Sequence, residues 1–266
     1  MSLTLSEIVI YPVKSLRGVA VAEAVVEPRG LRGDRRWMVV DATELFVTQR
    51  ALPRMALVEA LLCEQGGLDL AAPGMSPLHV AETAAGRVRQ VTIWRDTVAA
   101  HDGGDEAAAW LTAFLGRPCR LVQMPMSTER AVSPAYGQPG DIVSFADGYP
   151  FLLIGQASLD DLNTRLASPL PMRRFRPNLV IAGAEPFAED RWTRICIDDI
   201  VFRIVKPCAR CTIPTVDPDT GVFAGKEPLR TLATFRKVGS KVLFGQNLIA
   251  EGVGTLHVGA QVKILG

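Results

Sequence analysis

The sequence predicts a mixed α/β fold dominated by strands, built as two packed parts. Three observations carry this. The first ninety-odd residues are rich in Val, Leu and Thr and are broken at short intervals by turn signals. These include Pro28-Arg-Gly30, Arg32-Gly-Asp34, Gly66-Gly67 and Ala72-Pro-Gly74, the pattern of short strands joined by tight turns. Helical periodicity is confined to two short stretches, and a length of 266 residues fits one large domain or two smaller ones with separate cores.

The elements follow in order. Residues 1–11 alternate apolar and polar and include Glu7, which reads as a first strand and not as a signal peptide. Strands are expected at 19–26, 36–41, 56–62 and 88–94, a spacing that suits a small barrel or curled sheet. The period then changes. Asp102 or Asp105 is placed to cap a helix whose face is Ala107, Trp110, Leu111 and Phe114, and Gly116 with Pro118 ends it. The division between the two parts is placed there, giving residues 1–118 and 119–266. A second helix is expected over 158–166, with Ser158 and Asp161 at capping-box-like spacing and Leu159, Leu162 and Leu166 as its stripe. Segments 151–154, 178–182, 195–206 and 255–265 read as further strands.

Composition excludes several function classes. Lys plus Arg total 29 against 28 for Asp plus Glu, a net charge of +1, so no global field grips nucleic acid or anionic lipid. No window approaches the roughly 18 apolar residues of a membrane span. A cytoplasmic protein with no nucleic-acid or membrane partner is expected, its anion sites local. Five cysteines without an export signal argue for reduced thiols over a disulfide framework. His79, His101 and His257 are far apart, and their spacing offers no histidine-built metal site.

One run concentrates chemistry: Lys206-Pro-Cys-Ala-Arg-Cys-Thr-Ile-Pro-Thr-Val-Asp-Pro-Asp-Thr-Gly221. Structural zinc wants four Cys or His ligands, and no second Cys-x-x-Cys or histidine pair supplies them. A dithiol redox site works best at a helix N-terminus, but Thr212 to Val216 is β-branched with a proline and predicts extended chain. A single thiolate on a soft metal held by an organic cofactor is the third reading. Arg210 and Lys206 would then lower the thiol pKa and donate to an anionic ligand. Two buried structural cysteines is the fourth, and composition does not separate these last two. Asp219 reads as a turn former, while Asp217 is either that or a proton donor or positioner beside the thiol.

Local cations stand in apolar surroundings at three places. Lys14 and Ser15 end the first strand, Arg35 and Arg36 follow Arg32-Gly-Asp34, and Arg173-Arg-Phe-Arg-Pro-Asn178 leads into a buried-looking strand. Arg176 is the most telling, because Pro177 favours extended backbone before it and Asn178 opens an apolar run. Charge directed at a core asks for an anionic partner. Together these segments offer bidentate forks, a lysine and a hydroxyl for a phosphorylated cofactor, with no glycine-rich nucleotide loop in the chain.

Several ordered motifs carry a family resemblance. They are Ile10-Tyr-Pro-Val-Lys-Ser15, Gly33-Asp-Arg-Arg-Trp37, Glu106-Ala-Ala-Ala-Trp110, Ser158-Leu-Asp-Asp-Leu-Asn163, Phe175-Arg-Pro-Asn178, Cys208-Ala-Arg-Cys211 with Thr215-Val-Asp-Pro-Asp-Thr-Gly221, and Phe244-Gly-Gln246. In this order the chain resembles MOSC-domain proteins with an N-terminal MOSC β-barrel domain. Its pattern is nearest to the mitochondrial amidoxime-reducing component and to bacterial MOSC reductases of N-hydroxylated bases. The resemblance implies a MOSC β-barrel domain with a few helices packed on the N-terminal barrel-like domain.

It also implies a molybdenum cofactor, with molybdenum held by a pyranopterin dithiolene and one protein thiolate. That thiolate is Cys211, and Cys208 becomes a supporting residue. Lys14, Ser15, Arg35, Arg176, Asn178 and Arg210 would contact the pterin or its phosphate, and Asp217 would sit near the metal. The implied reaction reduces amidoximes, hydroxylamines or hydroxylaminopurines by two electrons. Some relatives add a C-terminal iron-sulfur domain, whereas this chain ends without a cysteine cluster, so a separate ferredoxin, flavoprotein or haem protein is the expected electron donor. A carrier that holds the cofactor or passes sulfur through Cys211 is the alternative. Pyridoxal-phosphate binding is set aside for want of a Schiff-base lysine motif.

Overall fold

The computed structural model describes residues 2–64, 66–83 and 86–266. Its largest sheet runs in the order Val19–Val21, Thr4–Ile10, Leu179–Ala182, Phe151–Gly155, Lys241–Ala250, Ile200–Ala209, Arg194–Ile197, Val262–Ile264, and Lys237–Val238 also pairs with Lys241–Ala250. Neighbours are antiparallel except Phe151–Gly155 beside Leu179–Ala182, which run parallel. A parallel pair needs a crossover, and helix α2 (Gln156–Thr164) lies in it. The fold is strand-dominated and mixed α/β, as the sequence predicts.

The sheet does not respect chain order. Thr4–Ile10 registers with Leu179–Ala182, and Glu23–Glu27 pairs with Gly254–His257. The first 27 residues are thus woven into the second half. The apolar core of the large sheet shows the same thing, drawing Leu5, Ile8 and Val26 together with Phe202, Leu248 and Leu256.

Two of the smaller sheets lie in the first half of the chain. Trp37–Asp41, Cys119–Gln123, Asp96–Asp102 and Val88–Ile93 form one, and Glu59–Leu62, Leu68–Ala71 and Leu78–Val80 the other. Helix α1 (Asp105–Leu115) buries Ala107, Trp110, Leu111 and Phe114 in the cluster that also holds Val13, Leu16, Trp37, Leu68 and Leu70. Gly116 ends it in the left-handed conformation, φ 68°, the usual helix-terminating role of glycine.

Several expectations are corrected. Gly104, with no side-chain cap, starts α1: Asp102 stands two residues before it, accepting from the Gly104 amide at 2.9 Å while pairing with Arg89 (2.5 Å) and Arg120 (2.9 Å), and Asp105 is already the first helical residue. Helix α2 begins at Gln156, and Ser158 is a buried donor to Glu189 instead of a cap. Segment 19–26 bends at Ala22 into strands of two different sheets. Pro53 opens a 3-10 turn over Pro53–Leu57, which shortens the strand expected at 56–62. Segment 195–206 is a hairpin turning at Asp198 and Asp199, both at positive φ, and 255–265 splits into two strands. The strand Lys241–Ala250 escaped notice because Gly245-Gln-Asn247 interrupts its apolar run. Gly245 takes φ 81° and Gln246 is buried against Asp190 at 2.7 Å. Helix α3 (Leu229–Phe235) was also missed, since Leu232 is its only buried residue.

Candidate functional site

The loop after Thr4–Ile10, the turn before Trp37–Asp41, the approach to Leu179–Ala182 and the end of Ile200–Ala209 converge on one open cleft. Lys14, Ser15, Arg35, Arg176, Asn178, Arg210 and Cys211 all line it, as does Cys208. Four cations against a single carboxylate, Asp147, make it a basic site in a nearly neutral protein.

Local geometry explains why the thiols face this space. Pairing of Ile200–Ala209 with Lys241–Ala250 slips twice, at Val205 and at Cys208. A bulge bends the strand and re-aims its side chains. The chain then turns through a short 3-10 segment, Ile213–Thr215, where extended backbone was expected. It is still no α-helix, so the argument against a helix-activated dithiol holds. Both thiols are free. Arg210 donates to the Cys208 sulfur at 3.2 Å and to the Phe175 carbonyl at 2.6 Å, which ties its fork to Cys208.

The opposite wall is a buried polar network. Asp34 accepts from the Tyr11 amide (2.8 Å), from Asn178 (3.1 Å) and from Arg35 (2.5 Å), and Arg35 also donates to Asn178 at 2.9 Å. The Tyr11 ring has guanidinium groups against it from Arg35 at 4.4 Å and Arg176 at 4.1 Å. Burial pushes the Tyr11 hydroxyl up to about 12, and it donates to the Pro177 carbonyl at 3.0 Å. Lys14 is 4% exposed and donates to the Phe145 carbonyl at 2.9 Å. Burial lowers its pKa to about 8, the attraction of Asp147 offsetting only part of that. Partial loss of water would raise the Asp147 pKa, but its carboxylate, on a side chain still 59% exposed, is held far below the usual range by Lys14, with Arg50 and Arg35 adding to it.

Ser15, Arg35 and Arg176 share a further property, positive φ angles of 66°, 49° and 58°. Arg176 therefore departs from the extended backbone expected before Pro177. Such conformations cost about 1–3 kcal/mol each and persist where the surroundings over-determine them. Here the Arg176 fork is anchored on the Leu16 carbonyl at 2.6 Å. Its Nη2 and the Nε of Arg210 are buried with no hydrogen-bond partner among the described residues. A buried N–H left unpaired costs about 1–3 kcal/mol, which an anionic ligand in the cleft would relieve. The donor set thus fits a phosphorylated, thiolate-anchored cofactor.

Asp217 is not brought into the cleft. Its carboxylate accepts from the amides of Asp219 (2.9 Å) and Thr220 (3.1 Å) and from Arg174 (2.8 Å). These contacts, the Asp219 amide first, hold it below the usual carboxylate range, which makes it a poor proton donor. Asp217 is the turn former, and Asp219 instead pairs with Arg173 (2.5 Å) and Arg17 (3.2 Å). Asp147 was missed by sequence reasoning. Its only signal is the Asp147-Gly148 turn dipeptide, which says nothing of Lys14.

Comparison with known families settles what kind of protein this is. The MOSC N-terminal beta barrel domain matches residues 2–118 and the MOSC domain matches residues 140–263. The chain belongs to the MOSC family. The human mitochondrial amidoxime-reducing component 1 is 37% identical to this MOSC protein, over 99% of this chain and 83% of the relative. The mitochondrial amidoxime reducing component 2 of Rattus norvegicus is 39% identical, over 97% and 82%. The Xenopus laevis component 1 is 34% identical, over 97% and 80%. Among the described residues of the MOSC protein, no helix is long and apolar enough to cross a membrane.

Proposed function

We propose that this MOSC protein is a molybdenum-cofactor-dependent reductase of N-hydroxylated compounds of the amidoxime, hydroxylamine or hydroxylaminopurine type. It works in detoxification in the cytoplasm, with electrons from a separate ferredoxin, flavoprotein or haem protein. The observation that carries the reading is the cleft itself. Two free thiols at a bulged strand end open onto a basic pocket with two unpaired guanidinium N–H groups. The names of the relatives, amidoxime-reducing components, supply the reaction class.

In this reading Cys211 is the metal ligand, and its thiolate suits a soft or high-valent metal. Lys14, Ser15, Arg35, Arg176 and Arg210 grip the pterin phosphate and ring edge, and Asn178 fixes Arg35 and the Tyr11 loop through Asp34. Cys208 holds Arg210 in place by accepting its hydrogen bond. The chemistry such a cofactor supplies when bound is two-electron reduction of the N–O bond: R–NHOH, two electrons and two protons give R–NH2 and water. Asp217 contributes from outside the cleft by fixing its turn and Arg174.

The test is protein made in a molybdopterin-competent host, assayed for molybdenum and for reduction of benzamidoxime or hydroxylaminopurine with an artificial donor. About one molybdenum per chain with turnover is expected, both lost in Cys211→Ser. Molybdenum without turnover would instead indicate a carrier. If Cys211→Ser kept both while Cys208→Ser lost both, the ligand would be Cys208.

A further inference from the structure

The three-stranded sheet Glu59–Leu62, Leu68–Ala71, Leu78–Val80 carries a second constellation. Its inner face is apolar, with Ala60, Leu68, Leu70, Leu78 and Val80 in the core. On the outer face, register places Leu61 opposite Asp69 and Asp69 opposite His79. Cys63 lies two residues beyond Leu61 and so returns to that face. Its amide donates to the Gly67 carbonyl at 3.3 Å, which makes it a diagonal neighbour of Asp69. The Cys63 sulfur stands 3.8 Å from Nδ1 of His79, and an Asp69 oxygen stands 2.8 Å from the same nitrogen. The three donor atoms lie within 4.8 Å of one another.

Chemistry separates two uses of Cys, His and Asp. In a nucleophile relay, the nucleophile and the carboxylate address opposite nitrogens of the ring. Here both face Nδ1, so no relay through the imidazole exists. Three ligand atoms converging on one point is instead the requirement for a metal ion. Thiolate, imidazole and carboxylate together suit zinc and its neighbours, and suit magnesium and calcium poorly. Zinc bonds of about 2.0–2.3 Å in a tetrahedron separate the donors by about 3.3–3.6 Å. The Cys63–His79 spacing is close to that already. The Asp69–His79 pair, with Asp69 60% exposed, has to open by about half an ångström to match.

We propose that Cys63, Asp69 and His79 form a binding site for one zinc-class divalent ion, with water in the fourth position. It stands apart from the cleft and ties three strands of the N-terminal region together. The spacing 63, 69, 79 matches no metal motif in sequence, because strand register and not chain proximity assembles it.

The experiment uses the full chain carrying Cys208→Ser and Cys211→Ser, so that the cleft thiols are silent. After chelator treatment it is titrated with cobalt(II) and then zinc(II). One equivalent of cobalt should give near-ultraviolet sulfur-to-metal charge transfer with visible bands of tetrahedral geometry, and zinc should bleach them. Adding Cys63→Ser should abolish the charge transfer, and His79→Ala or Asp69→Asn should each weaken binding by about tenfold or more. These side chains lie outside the core, and unchanged circular dichroism checks each fold. Undiminished charge transfer with Cys63→Ser, or no cobalt uptake by the parent, overturns the proposal. So does zinc that leaves the parent's Tm unchanged, since binding to the folded state alone must raise it.

Discussion

Lys14 shows how a single buried charge sets a pH response. Burial brings it to about 8, among the charges of Asp147, Arg130 and Arg35. A lysine whose folded pKa is depressed is a burden on the folded state at neutral pH, and stability gains as pH rises from about 8 towards the free value. Anion binding has the opposite sign, because it needs the ammonium charged. The affinity of the cleft for inorganic phosphate should fall as pH rises through about 8, with proton uptake on binding there. Calorimetry in buffers of different ionisation enthalpy measures that uptake, and Lys14→Met should abolish it. Asp217→Asn makes a contrasting case. With Arg174 left short of a charged partner, Tm should drop by the equivalent of about 1–3 kcal/mol. Activity per folded, cofactor-loaded molecule should stay within about twofold of the parent.

Much of the cleft was legible at this scale because charge inside an apolar segment is costly. Lys14, Arg35 and Arg176 stood out for that reason, and each lines the pocket. Asp147 and Tyr11 as a guanidinium platform were not legible, since their roles depend on partners 133 and 165 positions away, a distance only the fold closes.

Elements fared according to how local their signals are. The stop at Gly116 and the stripe of α1 need only neighbouring residues. The strand Lys241–Ala250 contains a glycine at positive φ and the buried amide of Gln246, so its alternation is broken where it matters most. Helix α2 hides a different dependence. Ser158, fully buried, donates to Glu189 at 2.7 Å and accepts from the Phe187 amide at 2.8 Å. Ser158→Ala should therefore cost about 1–3 kcal/mol in chemical denaturation. Burial raises the Glu189 pKa against the pull of these hydrogen bonds. A carboxyl raised in the folded state loses its stability contribution as pH rises past its ordinary value. Without Ser158 that loss should extend to higher pH, which unfolding curves at pH 5, 6 and 7 would show.

For the whole molecule, class and family were legible, but the weave was not. No pattern within residues 4–10 or 23–27 announces partners at 179–182 and 254–257. A fragment of residues 119–266 leaves Leu179–Ala182 and Gly254–His257 without those neighbours. It should lack a cooperative thermal transition, and adding a peptide of residues 2–31 should restore part of its ordered circular dichroism. The same weave imposes a schedule on synthesis in the cell. Strand Glu23–Glu27 can pair at once with Gly30–Leu31, but it meets its other partner, Gly254–His257, only after some 230 further residues have been made. At about 5–20 residues per second that is a wait of roughly 10–50 s, during which Ala24 and Val26, buried in the finished protein, are exposed. The polar ends of that strand, Glu23 and Glu27, are then the residues that keep a nascent edge from pairing with the wrong chain.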